Sequence, residues 1–294
     1  MRQSPDAIYN HADANNFLCL AAALWQASRQ LEKLFEIIYE DGGLLVVNKP
    51  AGLVCHPTKN GGMSSLIGRA RLHCGSRCES AHLENDQSEL TFAATPHLIN
   101  RLDRETSGVV LIAKNSATAG ELGKILESRA IKKEYLAIVH GHVAAEQGTI
   151  DAPLGKDERS IVAVKDCVRP DGAAAQTEFF VERRFSKLST FNLQPATFSL
   201  LRIVPHTGRK HQIRIHLAHI GHPIVGDKLY GGDEDIYMAL VQNRLTDEHR
   251  ARLIFENQAL HARSVKFHWR GQPVEFSCEP EPWFTKFLSA DCAD

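Results

Sequence analysis

Residues 100–113 read NRLDRETSGVVLIA, a charged turn joined directly to an apolar run. The run at 109–113 predicts a buried strand, because short continuous apolar runs bounded by turns are typical of one. In the turn, Asp103 lies between Arg101 and Arg104, whose positive charges favour an ionised carboxylate. Such a carboxylate can attack or stabilise an electron-poor carbon. Taken alone, the same turn is more often a loop ion pair or a helix cap.

The sequence around this stretch alternates strand and helix patterns. Residues 116–130 have helical spacing and 135–139 predict a strand, so a strand, a helix and a strand follow Asp103 in order. Further strands are predicted at 35–39, 44–47, 174–184, 198–204, 264–269 and 273–278, and further helices at 209–220 and 283–288. Many strands with few helices predict an α+β fold whose sheet is mainly antiparallel or mixed.

The composition shows no break in the middle of the chain, which favours one large domain over two small ones. Residues 1–34 start polar and continue in a helical pattern, and we expect them to form an N-terminal helical extension. The main domain is then expected at 35–294. Within it, the residues from about 61 to 95 lack a sustained period and predict a long, partly helical insertion.

The net charge of the chain is −1 and its sequence pI is about 6.9. Nucleic-acid-binding domains often have a large basic surplus, so any affinity for RNA would have to come from a local patch. Residues 202–228 form such a patch, with five Lys or Arg and five His residues against one Asp. This segment is therefore the candidate region for contacts with nucleic acid.

The seven cysteines are scattered, which favours free thiols in a reducing compartment, and we expect a cytoplasmic protein. The apolar run at 17–25 is too short to span a bilayer, so no membrane anchor is expected.

The sequence has no glycine-rich phosphate loop or Walker lysine, so no cofactor is expected. His73, Cys74, Cys78 and His82 have spacing that zinc could use, but unpaired Cys and His sets are more often free side chains, and no metal is expected.

Six segments, in order, resemble the motifs of the RluA family of RNA pseudouridine synthases. The central segment matches the family's Arg-Leu-Asp, followed after two residues by Thr-Ser-Gly, at 101–108. The others are VVNKPAGLVCHP at 46–57, KEY at 133–135, PHTGRKHQIR at 205–214, GHPIVGDKLYG at 221–231 and LHA at 260–262. The resemblance extends from about residue 46 to 270 and so covers most of the chain.

This resemblance implies a catalytic domain at 35–294, built on a bent, mainly antiparallel sheet that is flanked by helices and crossed by the active cleft. The implied activity is an isomerisation of uridine in rRNA or tRNA, in which the C1′–N1 bond breaks and C5 joins C1′, with no cofactor. In the family an S4-type RNA-binding domain often precedes the catalytic part, and we expect none here because 34 residues are too few. We expect a monomer whose partner is RNA.

The resemblance also assigns roles to residues. Asp103 resembles the catalytic aspartate, Tyr135 the tyrosine that packs on the target base, and Arg214 the arginine that pairs with the aspartate. Contacts with RNA or with the base are expected from Arg101, Arg104, Thr106, Arg209, Lys210, His211, Gln212 and Ile224. Whether the aspartate attacks C1′, adds to the base or promotes 2′ deprotonation is left open.

One position departs from the family, because Asn100 stands where the motif usually has His. Asn offers a donor and an acceptor but no proton that titrates near neutral pH, and we expect it to be a hydrogen-bonding support.

Two alternatives remain: an RNA-binding or ribosome-assembly factor that keeps the fold with weak catalysis, and a glycosidase that releases uracil. Intact Asp103, Tyr135 and Arg214 count against the first. The second would use a lone aspartate, whereas ordinary sugar hydrolases use two carboxylates across the bond. Glu105 is near in the sequence, but nothing places it opposite Asp103, which counts against the second.

Overall fold

The computed structural model describes residues 35–57, 64–81, 95–188, 194–232 and 234–289 of the 294-residue chain. The expected helical extension at 1–34 lies outside the described residues, as do residues 61–63 and 82–94 of the expected insertion. The described part of that insertion is mainly one 16-residue helix, so its partly helical character is confirmed.

Most strands belong to one ten-stranded sheet. Its spatial order is β1 (Glu36–Glu40), β2 (Leu44–Lys49), β4 (Ser107–Ala113), β11 (Leu260–Trp269), β5 (Lys132–His140), β10 (Pro195–Pro205), β9 (Gln176–Leu188) and β6 (Gln147–Asp151), with β3 (His97–Leu98) on β4 and β12 (Gln272–Ser277) on β11. A separate two-stranded sheet contains β7 (Leu154–Lys156) and β8 (Asp166–Val168). Among the described strands, β4 and β11 pair in parallel and all other pairs are antiparallel, which confirms a mixed, mainly antiparallel sheet.

The helices of the described residues are α1 (Leu66–Ala81), α2 (Ser116–Glu127), α3 (Gln212–His219), α4 (Glu234–Val241), α5 (Asp247–Leu253) and α6 (Pro282–Ser289). Together with the sheet they confirm the α+β class and each element predicted within the described residues, with shifted boundaries. Helices α4 and α5 and the short strands β3 and β6 to β8 were not predicted. In the described ranges, no helix is both long and apolar enough to cross a membrane.

The strands next to the turn that contains Asp103 are buried on both faces. All seven residues of β4 are buried. On β2, Leu45 and Val47 pack in the cluster that includes Leu66 of α1, whereas Leu44 and Val46 pack in the cluster that includes Leu122 of α2. Because helices cover both faces, these strands have continuous apolar runs and do not alternate apolar and polar residues.

Gly108 allows β4 and β11 to approach closely where the turn that contains Asp103 enters the sheet. Gly108 has a φ of +115°, a conformation that side-chain-bearing residues rarely adopt. A Cβ at this position would lie 2.2 Å from the carbonyl oxygen of Ala262. The parallel pairing of Gly108 with Ala262 therefore depends on glycine, and it fixes the turn against β11.

Candidate active site

Asp103 and Arg214 meet although 111 positions separate them in the sequence. Asp103 lies in the loop between β3 and β4, and Arg214 lies near the start of α3. The Nη1 of Arg214 donates to Oδ2 of Asp103 over 2.8 Å. The aspartate side chain is 32% exposed and the arginine side chain 10%, so the carboxylate faces an opening while its partner is held inside the protein.

A second carboxylate fixes Arg214 from the other side. Asp227 has no exposed side-chain surface, and it accepts from Nε and Nη2 of Arg214 over 2.7 and 2.8 Å. Burial would raise the pKa of Asp227, but Arg214 and the backbone N–H groups of Tyr230 and Leu229 lower it. Burial would lower the pKa of Arg214, but the charges of Asp227 and Asp103 raise it. Asp227 and Arg214 therefore stay charged near neutral pH.

Tyr135 on β5 lies beside the same carboxylate. Its half-buried ring packs against the core cluster around β5 and β10 and against the cluster around β2 and β4. Burial raises the pKa of Tyr135, and the negative charge of Asp103 raises it further. The phenol is therefore neutral over the physiological range. The structure thus brings together the three residues expected to be catalytic, Asp103, Tyr135 and Arg214.

His211 also approaches Asp103, from the turn before α3. It has a φ of 55°, which ends the extended segment and delays the start of α3 to Gln212, three residues later than predicted. Its Nδ1 lies 3.0 Å from the hydroxyl of Tyr230, and its Nε2 lies 3.9 Å from Oδ1 of Asp103. Burial and the charge of Arg214 lower the pKa of His211, so the imidazole is mainly neutral.

Four of the expected RNA contacts are exposed basic side chains. Arg101 and Arg104 flank the carboxylate, and Arg209 and Lys210 precede His211. Arg209 donates through Nε to a backbone carbonyl over 3.1 Å, and Lys210 pairs with Asp166 over 2.8 Å. These cations lie on the two loops that form the site, where they are available to phosphate groups.

Three further expected contacts are buried, which corrects the expectation that they face RNA, whereas His211 is half-buried beside Asp103. Thr106 is 2% exposed and its hydroxyl accepts from Gln258 over 2.6 Å. Gln212 is 4% exposed and its amide ties the turn before α3 to β9. Ile224 is 1% exposed in the core. The chain uses these side chains to hold the site together.

Asn100 has the supporting role expected of it. Its Nδ2 donates to the carbonyl of Val109 over 3.2 Å, and its Oδ1 accepts from the N–H of Leu111 over 2.7 Å. Asn100 is 7% exposed and bonds the backbone of β4, in continuation of the pairing between β3 and β4. A side chain with one donor and one acceptor satisfies both strand groups without any charge.

Lys49 was given no role from the sequence, and it contacts the backbone of the loop that contains Asp103. Lys49 is fully buried, and its Nζ donates to the carbonyls of Pro50 and Leu53, each over 2.8 Å, and of Arg104 over 3.1 Å. Burial lowers the pKa of Lys49 to about 8. The signal in the sequence was a lysine at the end of an apolar strand, directly before a proline. Asp227, the one acid in the basic segment, was likewise given no role.

Among the described residues, no group of three or more His, Cys, Asp or Glu side chains is arranged to hold a metal ion. His73 bonds Glu40 over 3.0 Å, and Cys74 is buried. The side chain of Cys78 and the whole of His82 lie outside the described residues. The side chains around Asp103 are an arginine, a neutral tyrosine and a neutral histidine.

Comparison with known proteins identifies the family of this site. Residues 43–219 match the family model of RNA pseudouridylate synthases, which covers both Asp103 and Arg214. The chain belongs to the RNA pseudouridine synthase family. This confirms the resemblance seen in the sequence, and the activity that defines the family is an isomerisation of uridine in RNA. RNA is accordingly the substrate class that the family implies.

Curated relatives in this family are about a third identical to the chain over the aligned residues. The uncharacterized RNA pseudouridine synthase YlyB of Bacillus subtilis is 34% identical over 243 residues, which are 82% of this chain and 67% of the relative. Ribosomal large subunit pseudouridine synthase D of Zymomonas mobilis is 33% identical over 248 residues, 83% of this chain and 68% of the relative. An Aquifex aeolicus pseudouridine synthase is 36% identical over 195 residues, 66% of this chain and 55% of the relative. The chain thus spans between 55% and 68% of these relatives' lengths.

Two solved structures have the fold of this pseudouridine synthase. Human RNA Pseudouridylate Synthase Domain Containing 1 aligns with a TM-score of 0.61 and 23% identity over 86% of this chain and 85% of the human chain. Human RNA Pseudouridylate Synthase Domain Containing 4 aligns with a TM-score of 0.60 and 24% identity over 92% of this chain and 94% of the human chain. These similarities support the expected catalytic-domain fold.

Proposed function

We propose that this chain converts specific uridines of rRNA or tRNA to pseudouridine and that Asp103 is its catalytic carboxylate. The observation that supports this most directly is the partly exposed Asp103, bonded to a buried Arg214 that Asp227 holds in turn. Arg214 bonds Oδ2 of Asp103, and Oδ1 lies 3.9 Å from Nε2 of His211. A carboxylate held in a fixed geometry is suited to a reaction at a sugar or a base.

The reaction breaks the C1′–N1 bond, turns the uracil and forms a C5–C1′ bond, after which C5 loses a proton and N1 gains one. No net oxidant, reductant or energy source is consumed, so the proposal includes no cofactor. Asp103 can serve by attack at C1′, by addition to the base or by promotion of 2′ deprotonation. The ring of Tyr135 supplies a flat apolar surface for the base.

RNA would reach the site through its basic rim. Arg101, Arg104, Arg209 and Lys210 are exposed, and each can neutralise phosphate charge next to the target nucleotide. The target base must leave its stack before its C1′ can approach Asp103, and unpaired nucleotides cost least to extract. We therefore propose that the substrate uridine lies in a loop or a bulge.

Pseudouridine mapping of total rRNA and tRNA tests this proposal, in cells with and without the gene. The deletion is complemented with wild type, with Asp103→Asn, or with Asp171→Asn as a matched control. Asp171 has the same chemistry, but it is 67% exposed and pairs with Arg169 on the surface. We expect defined sites to disappear on deletion and to return with wild type and Asp171→Asn only.

Two other results would count against the proposal. Sites that return with Asp103→Asn would favour the alternative of an RNA-binding or ribosome-assembly factor. Maps that are unchanged by deletion would exclude rRNA and tRNA as substrates under the conditions of growth. We also propose that the protein is cytoplasmic and monomeric. Cell fractionation would check its location, and light scattering of the purified protein would check its oligomeric state.

A further inference from the structure

A partly buried ion pair ties Lys228 to the loop that contains Asp103 and has no part in the chemistry described so far. The Nζ of Lys228 donates to Oε2 of Glu105 over 2.8 Å, and it also donates to the carbonyl of Glu256. The side chain of Lys228 is 7% exposed and that of Glu105 is 23% exposed. Glu105 lies two residues after Asp103, in the same loop.

Lys228 follows Asp227, the residue that fixes Arg214. The Asp227-Lys228 dipeptide is therefore linked to the loop that contains Asp103 by two sets of contacts. Asp227 reaches Asp103 through Arg214, and Lys228 reaches Glu105 directly. A shift of this dipeptide would move the arginine and the loop together.

The dipeptide is itself anchored to the segment before β11. Gly226 has a φ of +81°, and a Cβ there would lie 2.5 Å from the carbonyl oxygen of Asn257, so the two segments touch through their backbones. From the same segment, Gln258 donates to the hydroxyl of Thr106 over 2.6 Å. The catalytic loop is thus held at Glu105 and Thr106 by side chains that come from the two touching segments.

Burial of a lysine with a glutamate is a costly way to gain stability, because apolar side chains of similar volume often stabilise a core equally well. An ion pair does, however, fix direction and distance. Displacement of a reacting group by about 1 Å can slow an enzyme about 100-fold. We propose that Lys228 and Glu105 are a positioning pair, which holds the loop so that the carboxylate of Asp103 stays at its reacting position. This inference rests on the proposed function.

The test uses the purified full chain and an RNA in which wild type forms pseudouridine. The variants are Lys228→Met, Glu105→Gln, the double variant and Lys228→Arg, which keeps the charge. Lys266→Met is the matched control, since Lys266 pairs with Glu275 over 3.0 Å on the exposed β11–β12 hairpin with both side chains about half exposed. Single-turnover rate constants and RNA dissociation constants are measured at a temperature at which melting curves show every variant folded.

We expect Lys228→Met and Glu105→Gln each to lower the single-turnover rate constant about 10- to 100-fold. The dissociation constant for RNA should change less than about threefold, because the proposal assigns the pair no contact with RNA. The double variant should be no slower than the slower single variant, because the two residues act as one unit. Lys228→Arg should recover part of the rate, and Lys266→Met should match wild type.

Single variants that keep the wild-type rate would overturn the proposal. So would a loss that appears only in RNA affinity, or rate losses that multiply in the double variant. If Lys228→Met does not fold, Glu105→Gln and Lys228→Arg decide alone, because both keep a hydrogen-bonding group in place. A wild-type chain that binds RNA and forms no pseudouridine would instead contradict the proposed function, and this result is distinct from the others.

Discussion

Arg214 donates two hydrogen bonds to Asp227, from Nε over 2.7 Å and from Nη2 over 2.8 Å, and Asp227 has no side-chain surface exposed to solvent. The third donor of the same guanidinium, Nη1, bonds the 32% exposed Asp103. One arginine therefore joins a fully buried carboxylate to the carboxylate that we propose is catalytic. The two carboxylates should respond differently to the same substitution.

We expect Asp227→Asn to lower the free energy of unfolding by about 3 kcal/mol or more, because a buried arginine loses its main counter-charge. Asp103→Asn should lower it by less than about 1 kcal/mol, because that carboxylate is partly solvated. The order is reversed for catalysis, since Asp103→Asn should lower turnover more than about 1,000-fold. Urea unfolding and single-turnover assays of both variants check this, and equal stabilities would contradict it.

The ring of Tyr135 and its hydroxyl can be separated by two substitutions. Tyr135→Leu removes the flat surface and should lower turnover about 5- to 150-fold, because base–aromatic contacts contribute about 1–3 kcal/mol per base. Tyr135→Phe keeps the ring and should lose less. Because burial and Asp103 raise the pKa of Tyr135, its ionisation should not reduce activity below about pH 10. A pH profile of wild type and Tyr135→Phe checks the last point, since a wild-type limb between pH 8 and 9 that Tyr135→Phe lacks would refute it.

Gly108 should tolerate no side chain. Gly108→Ala puts a Cβ within 2.2 Å of the carbonyl oxygen of Ala262 at a φ of +115°. We expect it to destabilise the protein by about 3 kcal/mol or more, or to prevent folding. Gly120→Ala is the control, because Gly120 lies on the exposed face of α2 with nothing within 4 Å of the new Cβ. That change should stabilise the protein by about 0.5–1 kcal/mol, measured by thermal unfolding.

Glu40 should make stability depend on pH. Burial would raise its pKa, but hydrogen bonds and charge from His73 and Lys114 lower it from 4.5 to about 2. A carboxylate with a lowered pKa in the folded state stabilises the protein above its ordinary pKa, and this stabilisation is lost as the pH falls from about 4.5 to about 2. At pH 7 we expect Glu40→Gln to cost about 1–3 kcal/mol, because the side chain is 10% exposed.

Urea unfolding at pH 7, 4 and 3 checks the pH dependence of Glu40. The gap between wild type and Glu40→Gln should narrow as the pH falls. Glu275→Gln is the control, because that glutamate forms an exposed pair with Lys266, and it should cost less than about 0.5 kcal/mol at any of these values. A gap that stays constant from pH 7 to pH 3 would show that the charge of Glu40 does not contribute.

The sequence by itself determined the strand and helix order around Asp103, the α+β class and the family. It could do so because local patterns fix these features: apolar runs predict buried strands, and the motif residues occur in contiguous segments. It also predicted that Asn100 supports the backbone, because an amide offers a donor and an acceptor and no titratable proton.

Only the tertiary structure decided which motif residues reach the site's surface and which lie beneath it. Thr106, Gln212 and Ile224 lie in the sequence motifs, and nothing in those motifs marks them as buried. Each is nevertheless at most 4% exposed. Lys228 and Glu105 are 123 positions apart, and no local pattern pairs them. Burial and long-range ion pairs depend on how the sheet brings distant loops together, and a linear sequence does not state that geometry.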